Sequence, residues 1–164
     1  MKNILIILGT GREGRESEQV FSEMVNIVKE RSTKIKTVDV RDFAHDYTEG
    51  LSSEKTKEWN DLITVATHFI VVTPEYNHGY PGELKMLIDA GAVPNYSGKK
   101  WLFCGVSSGT VGGARGIEGL KLVVNALEGF VDPKNVYVGP VSEFESQKED
   151  FRKRVNIALD RFLK

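Results

Sequence analysis

A chain of 164 residues with 40% apolar content is sized for one domain, residues 1–164, able to bury on the order of 70% of its unfolded surface. A formal net charge of −1 with no long run of one sign excludes nucleic acid and anionic membrane as expected partners. Its apolar runs fall far short of the roughly 20 residues a membrane helix needs, and its single cysteine excludes an intrachain disulfide or a thiolate metal site within one chain. Cys104 lies inside an apolar run and reads as a buried, inert thiol. The first three residues lead directly into a strand without the pattern of a secretion signal, so the cytoplasm is the expected compartment.

Ile4 to Leu8 is an uninterrupted apolar run ending at Gly9, the pattern of a strand buried on both faces. A loop over residues 9–16 follows, and Ser17 can cap a helix in which Val20, Phe21, Met24, Val25 and Val28 recur with a helical period. Residues 35–40 mix Lys36, Thr37 and Asp39 among apolar positions, as an edge strand does. Residues 41–53 read as a long connection, followed by a helix carried by Trp59, Leu62, Ile63 and Ala66. Residues 69–72 form the next dense strand. A polar loop then leads to a helix with Leu84, Leu87 and Ile88 on one face, Pro81 suiting its first turn and Gly91 its end. Residues 101–106 are dense again, and the helix after them, near residues 114–128, buries Ile117, Leu120, Val124 and Leu127 and stops at Gly129. Val136 to Val138 follow Pro133 as a second edge-like strand, and a last helix carries Phe151, Val155, Ala158 or Leu159, and Phe162.

Strands alternating with helices predict an α/β fold, a doubly wound five-stranded parallel sheet with helices on both faces. Strands one, three and four are dense and two and five are mixed, which predicts the order 2-1-3-4-5. The switch point then falls between strands one and three, where the loops at residues 9–16 and 73–81 meet.

The first of these loops, Gly9-Thr10-Gly11-Arg12-Glu13-Gly14, satisfies G-x-G-x-x-G after a strand. Asp39 could hold a ribose, which keeps a nicotinamide-binding Rossmann domain as one reading. Against it, a cap at Ser17 leaves the third glycine in the loop. A Tyr-x-x-x-Lys spacing at Tyr96 and Lys100 is interrupted by Ser97-Gly98. The other reading is a mononucleotide phosphate site, in which backbone N–H groups, the Thr10 and Ser17 hydroxyls and the guanidiniums of Arg12 and Arg15 surround a dianion. Glu13, Glu16 and Glu18 would then face solvent or pair with the arginines. After strand four, the small residues of 107–113 allow a flat ring to approach backbone closely. The histidines, His45, His68 and His78, are scattered and form no spaced metal set, and no Ser/His/Asp arrangement or paired carboxylates stand out.

Three segments carry a resemblance. T-P-E-Y-N-H-G-Y-P-G-x-L-K at residues 73–85 resembles the most characteristic stretch of the NADPH-dependent FMN reductase family, flavodoxin-like proteins that include quinone, azo and chromate reductases. G-T-x-R-x-G-R-x-S at residues 9–17 is similar to that family's first motif, with Thr10 where serine is usual, and S-x-G-x-x-G-G-x-R at residues 107–115 is similar to its third. Met86 stands where the family commonly has asparagine, and the resemblance covers about residues 3–131. It implies bound FMN with NADPH or NADH as cosubstrate, and hydride transfer to a quinone, azo compound, oxidised metal or free flavin. It also implies that Pro74, Glu75, Tyr76 and Asn77 wrap the flavin ring, largely through backbone, and that Ser107, Ser108 and Gly109 line its polar edge. No catalytic side chain is implied; donor and acceptor would share one flavin face in turn, which gives ping-pong kinetics. The family also implies a homodimer or homotetramer, for which Phe43, Tyr47 and Leu51 offer apolar groups. A flavodoxin-like electron carrier is the alternative, although such carriers are strongly acidic and this chain is not.

Overall fold

The computed structural model describes residues 2–32, 34–43 and 52–164. Its centre is strand β1 (Ile4–Leu8), buried along its whole length and paired in parallel with β2 (Ile35–Asp39) on one side and β3 (His68–Pro74) on the other. β3 pairs with β4 (Lys100–Val106), and the order is β2-β1-β3-β4-β5, as the apolar density of the strands predicts. The fifth position differs from expectation: it holds two short pieces, β5 (Phe130–Val131) and β6 (Val136–Val138), both parallel to β4. Between them the Asn135 side chain continues the ladder, its Oδ1 accepting the Phe103 N–H at 3.0 Å.

Strand side chains alternate between two cores, because successive residues point to opposite faces. Ile4, Ile6, Ile70, Val72, Leu102 and Cys104 pack under helices α1 (Ser17–Arg31) and α5 (Phe144–Phe162). Leu5, Ile7, Phe69, Val71, Trp101 and Phe103 pack under α2 (Glu54–Val65), α3 (Gly82–Asp89) and α4 (Ala114–Ala126). Each such side chain fully removed from water contributes about 1.5–3 kcal/mol, so both helical layers are fixed by this alternation. Tyr96 belongs to the second core. Its hydroxyl accepts from Trp59 Nε1 at 3.0 Å and donates to the Ile88 carbonyl at 2.9 Å, and burial raises its pKa. The Tyr-x-x-x-Lys spacing is therefore a packing feature. Gly91 is required by the same ring, since a Cβ there would collide with the Tyr96 phenol. Phe43 corrects an expectation: it is 5% exposed and packs 5.7 Å from the Trp59 ring, so it offers nothing to a second subunit. His45, Tyr47 and Leu51 lie outside the described residues.

The helix ends show what caps them. Ser53 caps α2, accepting from Thr56 N–H at 3.1 Å. Pro81 stands at the N-cap of α3 rather than within its first turn. The N-cap of α1 is Glu16, without a side-chain bond, so Ser17 is the first helical residue and not the expected cap. α4 closes with Glu128 in the left-handed region (φ 58°), its N–H reaching the Asn125 carbonyl at 3.1 Å and that of Gly129 the Val124 carbonyl at 2.9 Å. Glycine carries no Cβ penalty there. Glu128→Gly should therefore raise stability by about 1 kcal/mol, read as a higher midpoint in chemical denaturation. A lower midpoint would mean that the Glu128 bond to the Ser97 hydroxyl, 2.8 Å long, outweighs the backbone strain.

Candidate functional site

The carboxyl ends of β1, β3 and β4 open onto a cavity of about 310 Å³, walled by the β1–α1 loop, the start of the β3–α3 loop, the end of β4 and Val141. A larger groove of about 460 Å³ lies at the opposite end of the sheet, between β2 and α2, remote from all three motif loops.

The first loop leaves β1 with the Gly9 N–H bonded to the Val72 carbonyl at 2.8 Å. Thr10 is fully buried and does not line the cavity. Its hydroxyl donates to Glu83 Oε1 at 3.0 Å, which leaves it to accept from the Tyr76 hydroxyl at 3.1 Å and the Arg12 N–H at 3.3 Å. Glu83 also accepts the Gly11 N–H at 2.8 Å. Sequence reasoning missed Glu83; the available signal was an acid in the first turn of a helix facing a glycine-rich loop.

Arg15 is likewise turned inward, its side chain 3% exposed. Its two terminal nitrogens bond the two Asp39 oxygens, one at 2.8 Å, and its Nε lies 3.4 Å from Glu18. Burial penalises the Asp39 carboxylate, but the Arg15 bonds and the Arg41 N–H at 3.0 Å outweigh it and hold the pKa below its ordinary value. The bond to Asp39 raises that of Arg15 in turn. Asp39 is thus occupied, which removes the ribose acceptor that a dinucleotide site needs.

Arg12 is the complement. It is exposed, lines the cavity, and holds its guanidinium 5.5 Å from the centre of the Tyr76 ring. Ser17 lines the same space at the N-terminus of α1, and its hydroxyl is buried without a hydrogen-bond partner among the described residues.

In the second loop, Tyr76 and Gly79 exchange two backbone bonds of 2.8 and 2.9 Å across a tight turn, with Asn77 (φ 48°) and His78 (φ 65°) at its tip. Both tip residues are exposed and outside the cavity lining, whereas Pro74, Glu75 and Tyr76 line it. The Glu75 carboxylate is committed elsewhere. It accepts from the N–H groups of Arg115 (3.0 Å) and Gly116 (3.4 Å), capping α4 from another loop, and pairs with the Arg115 guanidinium at 3.3 Å.

Ser107 and Ser108 complete the wall, while Gly109 lies outside it and accepts the Ser107 hydroxyl at 2.8 Å. Cys104, one turn of strand below, is fully buried. Burial pushes its thiol up to about 12, so it stays protonated.

A family model described as NADPH-dependent FMN reductase matches residues 2–142. A quinone reductase of Pseudomonas putida is 29% identical over 119 residues, 68% of this chain and 63% of that protein. An NAD(P)H-dependent FMN reductase of Schizosaccharomyces pombe is 39% identical over 82 residues, 50% of this chain and 40% of that protein. The chain thus spans about half the length of the curated relatives it matches. Among solved structures, FerB, a flavoenzyme NAD(P)H:(acceptor) oxidoreductase from Paracoccus denitrificans, superposes with a TM-score of 0.80 at 18% identity, over 99% of this chain and 98% of that one. An FMN-dependent NADH-azoreductase from Bacillus anthracis, solved in complex with FMN, gives 0.68 at 14% identity over 95% and 99%. At such identities the likeness is one of fold.

Proposed function

The chain belongs to the NADPH-dependent FMN reductase family, and from that premise we propose that its cavity holds FMN and that the protein passes hydride from NADPH or NADH through it to a small acceptor. That acceptor is a quinone, an azo compound, an oxidised metal species or free flavin. The observation that carries the reading is Ser17, in the cavity lining at the amino end of α1: its hydroxyl is buried and has no hydrogen-bond partner among the described residues. A phosphate would supply the missing acceptor and meet the helix's free N–H groups.

In this reading Arg12 binds the phosphate directly. Thr10 and Arg15 act one step back, Thr10 tying the loop to Glu83 and Tyr76, and Arg15 bracing it through Asp39. The backbone of residues 74–76 and the serines at 107 and 108 border the ring, with Asn77 shaping the turn. When bound, FMN supplies the two-electron chemistry; the protein's part is to bind, orient and set the field. His78, at the exposed turn tip, serves as no general acid or base in this reading. Assembly as a dimer or tetramer belongs to the same reading, without Phe43 in the contact.

A yellow spectrum that survives purification, or appears on adding FMN, tests the cofactor. Arg12→Ala should then weaken FMN about ten- to hundred-fold, the value of one charge-assisted hydrogen bond, while leaving the affinity for riboflavin unchanged. Unaltered FMN affinity in that variant would remove Arg12 from the phosphate site.

A further inference from the structure

We infer that Glu13 and Glu16 weaken the hold of this cavity on the FMN phosphate, so that the flavin exchanges with solvent instead of staying bound through successive turnovers; this rests on the FMN reading above. Both residues line the cavity, both are exposed, and among the described residues neither is paired with a cation. They stand at the two variable positions of G-T-x-R-x-G-R-x-S that lie nearest to the helix, so the motif leaves their identity free.

A charge inventory shows why they matter. Two arginines border the cavity, but the Arg15 charge is taken by Asp39, with Glu18 on its other side. Arg41 bonds the carbonyls of Gly11 and Arg12, the former at 3.0 Å, which leaves its positive charge in place to offset Glu18, the second acid beside Arg15, and Arg115 is bound to Glu75. What faces a phosphate is the Arg12 guanidinium and the amino end of α1, equivalent to about half a positive charge. Against these stand two carboxylates. The cavity is therefore close to electrically balanced, or slightly negative, before a group of about two negative charges enters. The Ser17 hydroxyl and the backbone N–H groups still give the phosphate its short-range bonds, while Glu13 and Glu16 repel it over longer distances. Between solvent-exposed charges several ångströms apart, each repulsion amounts to a few-fold in affinity.

The test is a titration of the purified chain with FMN and, separately, with riboflavin, followed by flavin fluorescence, together with the rate of FMN release on dilution. Glu13→Gln/Glu16→Gln should bind FMN about tenfold more tightly, mainly through slower release, with riboflavin affinity unchanged. Each single substitution should give about threefold, which keeps the test decisive if the double variant folds poorly. Unchanged or weaker FMN binding in the single and double variants would overturn the inference while the FMN reading stands. Equal tightening of riboflavin would also overturn it, because the carboxylates would then act on the ring or the fold. Failure of the wild-type chain to bind either flavin would defeat the FMN reading itself.

Discussion

Asp39→Ala should destabilise the protein by about 3–5 kcal/mol in chemical denaturation, because it strands a guanidinium that is almost wholly removed from water. Arg15 reaches from the β1–α1 loop to Asp39 at the end of β2 and, among the described residues, keeps only the Thr10 carbonyl and the longer contact to Glu18 when Asp39 is truncated. The charge cannot be shed, since Arg15 holds its proton at any working pH. Replacing both partners should cost much less. Arg15→Met combined with Asp39→Ala leaves no uncompensated charge, and most of the loss should be recovered. A pH series gives an independent check. The Asp39 carboxyl is held below its ordinary value in the folded state, so the pair's contribution is complete above the ordinary carboxylate range. It is lost as the pH falls through that range towards the lowered value, and Asp39→Ala should flatten this part of the curve. A loss under 1 kcal/mol in the single variant would show that the guanidinium reaches solvent.

The same pair illustrates what a sequence displays and what it hides. Hydrophobic periodicity reports burial, and burial of β1, β3 and β4 on both faces was enough to order the sheet and to place its switch point. It does not report which polar side chains meet across loops. Asp39 follows the pattern of a ribose-binding acid, yet the register Leu8↔Asp39 sets it beside the β1–α1 loop, where Arg15 takes it. Thr10 keeps the hydroxyl that a phosphate motif asks for, but Glu83, more than seventy residues later, draws it inward. Glu75 was read with the loop it belongs to and serves the start of a helix on another. The fifth strand was half visible for a related reason. β5 is only Phe130 and Val131, between Gly129 and Asp132-Pro133, too short to show a period, and its link to β6 runs through the amide of Asn135. Which residues line the cavity was legible where backbone and spacing define it, and hidden where a single side-chain bond does.

Gly105→Ala should cost about 3 kcal/mol, the upper end for overpacking, because its added carbon meets main chain rather than a side chain that can rotate away. A Cβ on Gly105 would lie 2.6 Å from the Gly112 carbonyl oxygen and 3.1 Å from the carbonyl group of Gly113. The strand cannot retreat, since Gly105 is held in register between Thr73 of β3 and Tyr137 of β6. The segment from 107 to 113 must therefore lift. That motion would carry Ser107 and Ser108 away from the cavity and pull the amino end of α4 from the Glu75 carboxylate. Two readouts should move together: the denaturation midpoint falls, and flavin binds more weakly even under conditions where the variant is fully folded. Gly109→Ala is the control. A Cβ there meets nothing within 4 Å, and its cost should stay within about 0.5 kcal/mol. Indistinguishable midpoints for the two variants would mean that the segment over β4 yields freely, and that its close approach to Gly105 does not hold the third loop against the site.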